Sequence, residues 1–243
     1  MRNHRGEKPR NSLRWRRRSS RPSLGVPEHG SENRDRLSLL RPQVCARGRR
    51  DGGGRALNSP DPALPGHLKT QRLELVPVGR DLARALLIDR RRAAELAGGA
   101  IHRDFPDPDL AAKLPAFAQR LDDAANPALG RTAPRDPEGW GLWLFRYTVE
   151  RMIVGAASFT GPPNAVGEVE LGYQIVAAHR RRGLTVEGCA ALVAWAFHDS
   201  ATTAVIADCG MDNAASIRTL QKLGFTYERS ARERHYWRLP RPF

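Results

Sequence analysis

The chain has 243 residues, of which 40 are lysine or arginine and 26 are aspartate or glutamate, giving a formal net charge of +14 at neutral pH. No apolar run approaches the roughly 20 residues that a membrane-spanning helix needs, so the sequence excludes an integral membrane protein. Three scattered cysteines are too few for a disulfide framework or a zinc cluster, and they favour a reducing, cytoplasmic compartment.

The positive charge is concentrated in residues 1–66, which hold 16 basic and 6 acidic residues. This segment has no sustained hydrophobic periodicity and buries too little apolar surface to offset the entropy of ordering it, so we predict a disordered extension. One hypothesis is a nucleic-acid-associated protein whose basic arm contacts phosphates. The alternative is an extension without a role, translated from upstream of the true start.

An organised domain is predicted over residues 67–243. Its first strand is expected near residues 73–78, where apolar and polar side chains alternate, and Asp81 is expected to cap the helix that follows. The other elements predicted before residue 160 are helices at 81–89, 91–96 and 110–121 and strands at 142–148 and 152–159. Beyond it we expect strands at 167–176, 203–208 and 235–239, which alternate with helices at 183–197 and 213–223. This order indicates an α/β domain with antiparallel hairpins ahead of strand–helix units.

The most informative stretch is the strand at residues 168–175, which leads into a basic turn and a helix. Its side chains alternate, so that Glu168 and Glu170 share one face. Free backbone N–H groups and the dipole at the helix start favour an anion, and Gly183 allows the backbone to approach it closely. The arginines at 180–182 add charged donors. The stretch therefore predicts a pyrophosphate cradle, with a solvated basic turn as the alternative.

A second motif lies about thirty residues further on, where Asn213-Ala-Ala-Ser216 opens a predicted helix that ends at Leu223-Gly224-Phe225. Together the two motifs resemble the GNAT superfamily of acyl-CoA-dependent N-acetyltransferases, in particular its RimJ/RimL-like branch, over residues 68–240. The resemblance implies the GNAT fold, an α/β (α+β) architecture whose mixed, mostly antiparallel central sheet has splayed parallel strands and is flanked by helices.

The resemblance also implies acetyl-CoA as co-substrate. No metal is expected, because the histidines have no ligand-spaced partners in the sequence. The residues that the resemblance assigns to the cofactor are Ile175, Val176 and Ala177 on the pantetheine amides, Arg180, Arg181, Arg182, Gly183, Leu184 and Thr185 around the pyrophosphate, and Asn213 on the pantetheine arm. Thr185 stands where the family has glycine or alanine. Its side chain could crowd the pyrophosphate, or its hydroxyl could donate to it.

Two catalytic residues are implied by the same resemblance. Ser216 would donate to the leaving thiolate, since the family's tyrosine acid is replaced here by Leu220. Glu170 or a water chain would take the proton from the amine, because amines are mostly protonated at pH 7. The expected reaction is direct transfer of acetyl from acetyl-CoA to a primary amine, either a protein N-terminus or a small molecule, by a monomer or homodimer. A catalytically silent acyl-CoA-binding protein is the remaining alternative.

Other reactive side chains are expected to be structural. Cys189 and Cys209 fall on apolar faces and are expected to pack in the core rather than act as nucleophiles. His179 is expected on a surface turn, with assistance to the phosphate loop as the alternative. The further expectations are core packing for Trp140, Trp143 and Trp195, no metal at His102 and His235, and acceptor-site walls at residues 102–105 and 107–109.

Overall fold

The computed structural model of the protein describes residues 43–44, 66–126 and 139–242. Apart from Gln43–Val44 and Gly66, the extension predicted to be disordered lies outside the described residues, as do Cys45 and most of the loop expected at 126–138. The described residues form five α-helices: α1 Arg80–Ile88, α2 Arg90–Leu96, α3 Pro108–Ala124, α4 Leu184–Ala196 and α5 Ala214–Lys222. None of these helices has the length and apolarity needed to span a bilayer.

Ten strands make up the sheet of the described residues. They are β1 Gln43–Val44, β2 Leu68–Lys69, β3 Leu73–Pro77, β4 Ala100–Ile101, β5 Leu142–Tyr147, β6 Met152–Phe159, β7 Glu168–Ile175, β8 Ala204–Gly210, β9 Thr226–Ala231 and β10 Arg234–Pro240. Their order is β1-β2-β3-β5-β6-β7-β8-β10-β9, with β4 attached to β6. A short 3₁₀ helix at Ala177–His179 follows β7.

Most neighbouring strands are antiparallel. The short strand β4 runs parallel to β6, and β7 runs parallel to β8, to which it is paired only from Glu168–Ala204 to Glu170–Ile206. Beyond these pairs β7 continues to Ile175 and β8 to Gly210 without pairing to each other. The predicted mixed, mostly antiparallel sheet with splayed parallel strands is therefore confirmed.

The core packs against the sheet and includes buried residues of all five helices, of which α4 is buried along almost its whole length. A helix that is apolar all round must be enclosed, and Gly188 allows this close approach: a Cβ there would lie 2.6 Å from the ring of Phe145. Trp195 of α4 packs against Trp140, with ring centroids 4.7 Å apart. The tryptophans therefore serve packing, as expected.

At the start of α1 and at β9 the structure differs from the prediction. Asp81 does not cap α1: the N-cap is Gly79, without a side-chain hydrogen bond, and Asp81 lies inside the first turn. Strand β9 was not predicted, because nearly all of its side chains are exposed and no apolar alternation marks it. It is held instead by backbone pairing with β10.

Candidate active site

The separation of β7 from β8 leaves main-chain groups of β7 directed at an open gap. The N–H of Val176 donates to Val154 O on β6 at 2.9 Å, and Glu170 O accepts from Thr160 N–H at 3.2 Å. Since backbone groups alternate in direction along a strand, the even-numbered residues of β7 face β6, and Tyr173 and Ile175 face the gap. Of the three residues predicted to pair with pantetheine, Ile175 borders the gap, Val176 bonds to β6, and Ala177 starts the 3₁₀ helix.

The loop between the 3₁₀ helix and α4 presents a run of unpaired backbone donors. Arg181 has φ +61° and Gly183 has φ +77°, both in the left-handed region. Within the described residues, the N–H groups of residues 181–186 have no acceptor, and the first helical bond runs from Glu187 N–H to Gly183 O. Successive N–H groups in such a turn, at the positive end of a helix dipole, form a concave anion site.

The side chains of this loop are partly directed into the protein. Arg180 Nε donates to Ile175 O at 3.4 Å, and Arg182 lies 3.7 Å from the carboxylate of Glu150. Leu184 is buried and Thr185 is half-buried at the helix start. The anion site is therefore built mainly from main-chain N–H groups, with Arg181 exposed beside it.

The prediction of a surface position for His179 was wrong. This side chain is buried, and its Nε2 lies 2.9 Å from Glu150 Oε2. Its ring contacts those of His102 and Tyr147 edge-on, at centroid distances of 5.7 and 5.8 Å. Glu150 thus links His179 to Arg182 at the base of the loop.

A cavity of about 810 Å³ opens beside the gap, between α3, the middle strands and α5. Glu170, Asn213 and Ser216, three of the residues singled out from the sequence, all line it. Of the loops expected to form acceptor-site walls, Asp107 and Asp109 line the cavity, whereas residues 102–105 do not. The Gln174 amide nitrogen donates to Asp107 in the orientation that satisfies both groups, at 2.6 and 2.8 Å.

Asn213 and Ser216 are joined at the start of α5. Asn213 Oδ1 accepts from Ser216 N–H at 3.1 Å, which caps the helix and leaves the amide nitrogen of Asn213 free to donate elsewhere. The hydroxyl of Tyr173 on β7 donates to Ser216 O at 3.3 Å. Burial raises the pKa of Tyr173, so this phenol stays protonated at neutral pH.

The two cysteines of the domain are buried, and burial raises the pKa of Cys189 and of Cys209. A protonated, enclosed thiol is a poor nucleophile, which agrees with the packing role expected for both. The described residues contain no group of three or more side chains suited to hold a metal.

Two residues behind the loop were not found by sequence reasoning. Glu187, in the first turn of α4, accepts from Arg72 Nε at 2.7 Å, and Arg72 Nη1 donates to Arg182 O at 2.8 Å. The available signal was a single carboxylate in an otherwise apolar helix. Its partner is more than a hundred residues away in the sequence, so the pairing itself left no local pattern.

The chain is similar to several known proteins. The chain is 28% identical over 170 residues to the uncharacterized N-acetyltransferase YjdG of Bacillus subtilis. The aligned region covers 70% of this chain and 95% of the relative. Among solved structures, a ribosomal-protein-S5-alanine acetyltransferase from Vibrio fischeri aligns with a TM-score of 0.49 at 16% identity, covering 72% of this chain and 97% of that one. The microcin C7 self-immunity acetyltransferase MccE, in complex with acetyl-CoA and AMP, aligns with a TM-score of 0.46 at 15% identity, over 70% and 93% of the two chains.

The family model for the acetyltransferase (GNAT) domain matches residues 72–226. This range includes the loop whose N–H groups at residues 181–186 form the anion site (the anion loop), the gap between β7 and β8, and the start of α5. The chain therefore belongs to the GNAT acetyltransferase family.

Proposed function

We propose that the protein is an acetyl-CoA-dependent N-acetyltransferase that moves an acetyl group to a primary amine. The observation that carries the proposal is the meeting of three features at one place: the anion loop, the unpaired edge of β7 and the cavity that holds Glu170 and Ser216. The relative YjdG is named as an N-acetyltransferase, and this similarity supports an amine as the acceptor. The Glu170-Leu171-Gly172-Tyr173 sequence directly before the loop resembles the strand typical of the RimJ/RimL-like branch, and this resemblance supports that branch.

The co-substrate is assigned to the loop and the gap. The N–H groups of residues 181–186 would bind the diphosphate of acetyl-CoA. The main-chain groups of Tyr173 and the N–H of Ile175, which face the gap, would pair with the pantetheine amides. Asn213 would donate from its amide nitrogen to the same arm. This arrangement directs the thioester toward the cavity, where the acceptor amine would enter.

The transfer itself needs few groups. The amine nitrogen attacks the thioester carbonyl carbon, the carbon–sulfur bond breaks, and the electron pair of that bond leaves on sulfur. Glu170 accepts the proton that the amine loses, directly or through a water molecule. The hydroxyl of Ser216 donates a hydrogen bond to the sulfur as its charge develops. Most of the rate comes from holding the two reactants together.

The acceptor is proposed to be a protein N-terminus or a small-molecule amine, reached in the cytoplasm by a monomer or homodimer. The carboxylate of Glu170 suits either acceptor, because it is exposed, has no hydrogen-bond or ion-pair partner among the described residues and is free to meet an ammonium group. A cavity of about 810 Å³ is in the range that holds a small ligand or the end of a peptide.

The test is calorimetric titration of acetyl-CoA into the full-length protein, together with an Arg182→Ala/Gly183→Asp variant. We expect micromolar binding that the variant abolishes, since an aspartate at φ +77° strains the loop and places a negative charge at the anion site. Gly161→Asp is the matched control, because a side chain at Gly161 meets no atom within 4 Å. No heat of binding by folded wild-type protein would refute the proposal. Thiol release with a panel of amines then identifies the acceptor class.

A further inference from the structure

A carboxylate in the first turn of α4 ties the anion loop to the turn between β2 and β3. Glu187 is only 8% exposed, yet it is a charged residue in the first turn of an otherwise apolar helix. It accepts from the Thr70 hydroxyl at 2.6 Å, from the backbone N–H of Arg72 at 2.7 Å and from Arg72 Nε at 2.7 Å. These three bonds compensate a buried charge that would otherwise be costly.

The same arginine reaches from Glu187 to the loop. With Nε held by Glu187, the Nη1 of Arg72 donates to Arg182 O at 2.8 Å, and its Nη2 lies 3.4 Å from where a Cβ of Gly183 would stand. The carbonyl and the N–H of one planar peptide point in opposite directions. The hydrogen bond from Arg72 to Arg182 O therefore directs the N–H of Gly183 away from Arg72, toward the open side of the loop.

We propose that Arg72 and Glu187 are positioning residues that set the peptide between Arg182 and Gly183 for the diphosphate of the acyl donor. The inference rests on the proposed function and goes beyond it, because neither side chain touches the co-substrate. If this peptide were reversed, a carbonyl oxygen instead of an N–H would face the diphosphate. Arg72 has a second effect, since it neutralises Glu187, whose charge near the start of α4 would repel an anion there.

Arg72→Met is the first variant. It removes the donor to Arg182 O, and loss of a hydrogen bond from a charged group predicts a Kd for coenzyme A raised about tenfold. The readout specific to positioning is a comparison of two donors, acetyl-CoA and S-acetylpantetheine, which lacks the diphosphate. We expect KM for acetyl-CoA to rise with kcat unchanged, and transfer from S-acetylpantetheine to stay at the wild-type rate. Equal losses with both donors would overturn the inference.

Arg72→Lys separates geometry from charge. Lysine keeps the positive charge but its single ammonium cannot reproduce the fork that holds Glu187 and Arg182 O together. We expect it to bind coenzyme A more weakly than the wild type but less weakly than Arg72→Met, because the charge of Glu187 stays neutralised. Wild-type affinity in Arg72→Lys would overturn the positioning role and leave only the charge.

Removing Arg72 alone leaves the buried carboxylate of Glu187 uncompensated, so the single variant can lose stability. The double variant Arg72→Met/Glu187→Gln removes both charges and keeps a side-chain oxygen that accepts from the Thr70 hydroxyl and from the backbone N–H of residue 72. We expect it to melt near the wild-type temperature and still bind coenzyme A about tenfold more weakly. Full affinity in this folded variant would overturn the inference.

Arg84→Met is the matched control, because Arg84 also pairs with a carboxylate, Asp122 at 2.9 Å, but on the exposed side of α1. We expect it to bind coenzyme A as the wild type does. If the wild type itself binds neither coenzyme A nor acetyl-CoA, the proposed function fails. If the wild type binds and the Arg72 variants bind equally well, only the positioning inference fails.

Discussion

The guanidinium of Arg238 on β10 donates to the carboxylate of Glu168 on β7, across the strand that separates them. Two residues further along the same face, Glu170 has no hydrogen-bond or ion-pair partner among the described residues and lines the cavity. Two carboxylates that are indistinguishable in a strand pattern therefore have different environments. One is fixed by an ion pair, and the other is free to meet a ligand.

Glu170→Gln tests the free carboxylate. If Glu170 takes the proton from the amine, we expect kcat with a primary amine to fall about a hundredfold at neutral pH. The Kd of acetyl-CoA should stay unchanged, because the side chain faces the acceptor cavity instead of the anion loop. Thiol release gives the rate and calorimetry gives the Kd.

Glu168→Gln is the control for this substitution. It alters the ion pair with Arg238, which is partly exposed, so we expect a loss of at most about 1 kcal/mol of stability and no change in kcat. Equal losses of rate in both variants would remove Glu170 from the chemistry.

Asn213 carries two separable functions at the start of α5. Asn213→Ala should lower the free energy of unfolding by about 1 kcal/mol, through loss of the cap to Ser216 N–H, and should also weaken acetyl-CoA binding. Asn213→Asp keeps an oxygen for the cap but lacks the amide donor. We therefore expect it to melt like the wild type while binding acetyl-CoA as weakly as Asn213→Ala.

Thermal denaturation and calorimetry on the same preparations separate the two effects. A drop of about 1 kcal/mol corresponds to roughly 2–4 °C in a domain of this size. Unchanged acetyl-CoA affinity in Asn213→Asp would show that the amide nitrogen does not contact the pantetheine arm.

Cys189 is enclosed by the core, and burial raises the pKa of its thiol, so the reactive thiolate is scarce. Folded protein treated with iodoacetamide at pH 8 should leave Cys189 unmodified, and peptide mapping by mass spectrometry measures this. The same treatment in denaturant should modify it fully. Cys189→Ala should keep kcat, whereas a large loss of activity with an intact fold would point to a chemical role.

The lowered pKa of Glu74 predicts how the stability of the fold depends on pH. Burial alone would raise the pKa of Glu74, but hydrogen bonds from His67 and Arg146 outweigh it and hold the pKa below the ordinary value of 4.5. Because the folded pKa is lower than the unfolded one, the ionised group stabilises the fold above about pH 4.5, and this stabilisation is lost as pH falls through the folded pKa.

Glu74→Gln should therefore be less stable than the wild type at pH 7, and the difference should shrink as the pH is lowered from 5 toward 3. Urea denaturation at a series of pH values measures it. Glu95→Gln is the control, since Glu95 is exposed beside Arg91 and Arg92 and should show little difference at any pH. A constant difference between Glu74→Gln and the wild type across the range would contradict the assignment.

Elements with an apolar pattern between turn residues were predictable from the sequence. Strand β6 has the predicted bounds, 152–159, because an apolar run there lies between two turns. Helix α3 begins at Pro108 instead of residue 110, since Asp107 caps it and proline is tolerated in the first turn. Strand β9 carries no apolar signal, so only its pairing partner reveals it.

The residues of the site also divide into those that a local sequence pattern predicts and those that only the fold reveals. The anion loop and the cap at Asn213 are local sequence patterns, and the structure brings them to the same end of the sheet. The burial of His179 and the bond between Arg72 and Glu187 depend on contacts between segments distant in sequence. No periodicity or motif encodes such contacts, so they required the fold.

The three residue pairs that join β7 to β8 have a consequence for the lifetime of the protein in the cell. The sheet is continuous on either side of this seam, and a co-substrate lying along its open edges would act as an added strand. A ligand present at a hundred times its Kd stabilises the folded state by about 2.7 kcal/mol. Resistance to proteolysis would then rise and fall with the supply of acyl donor, so that turnover of the enzyme follows the availability of the molecule it consumes.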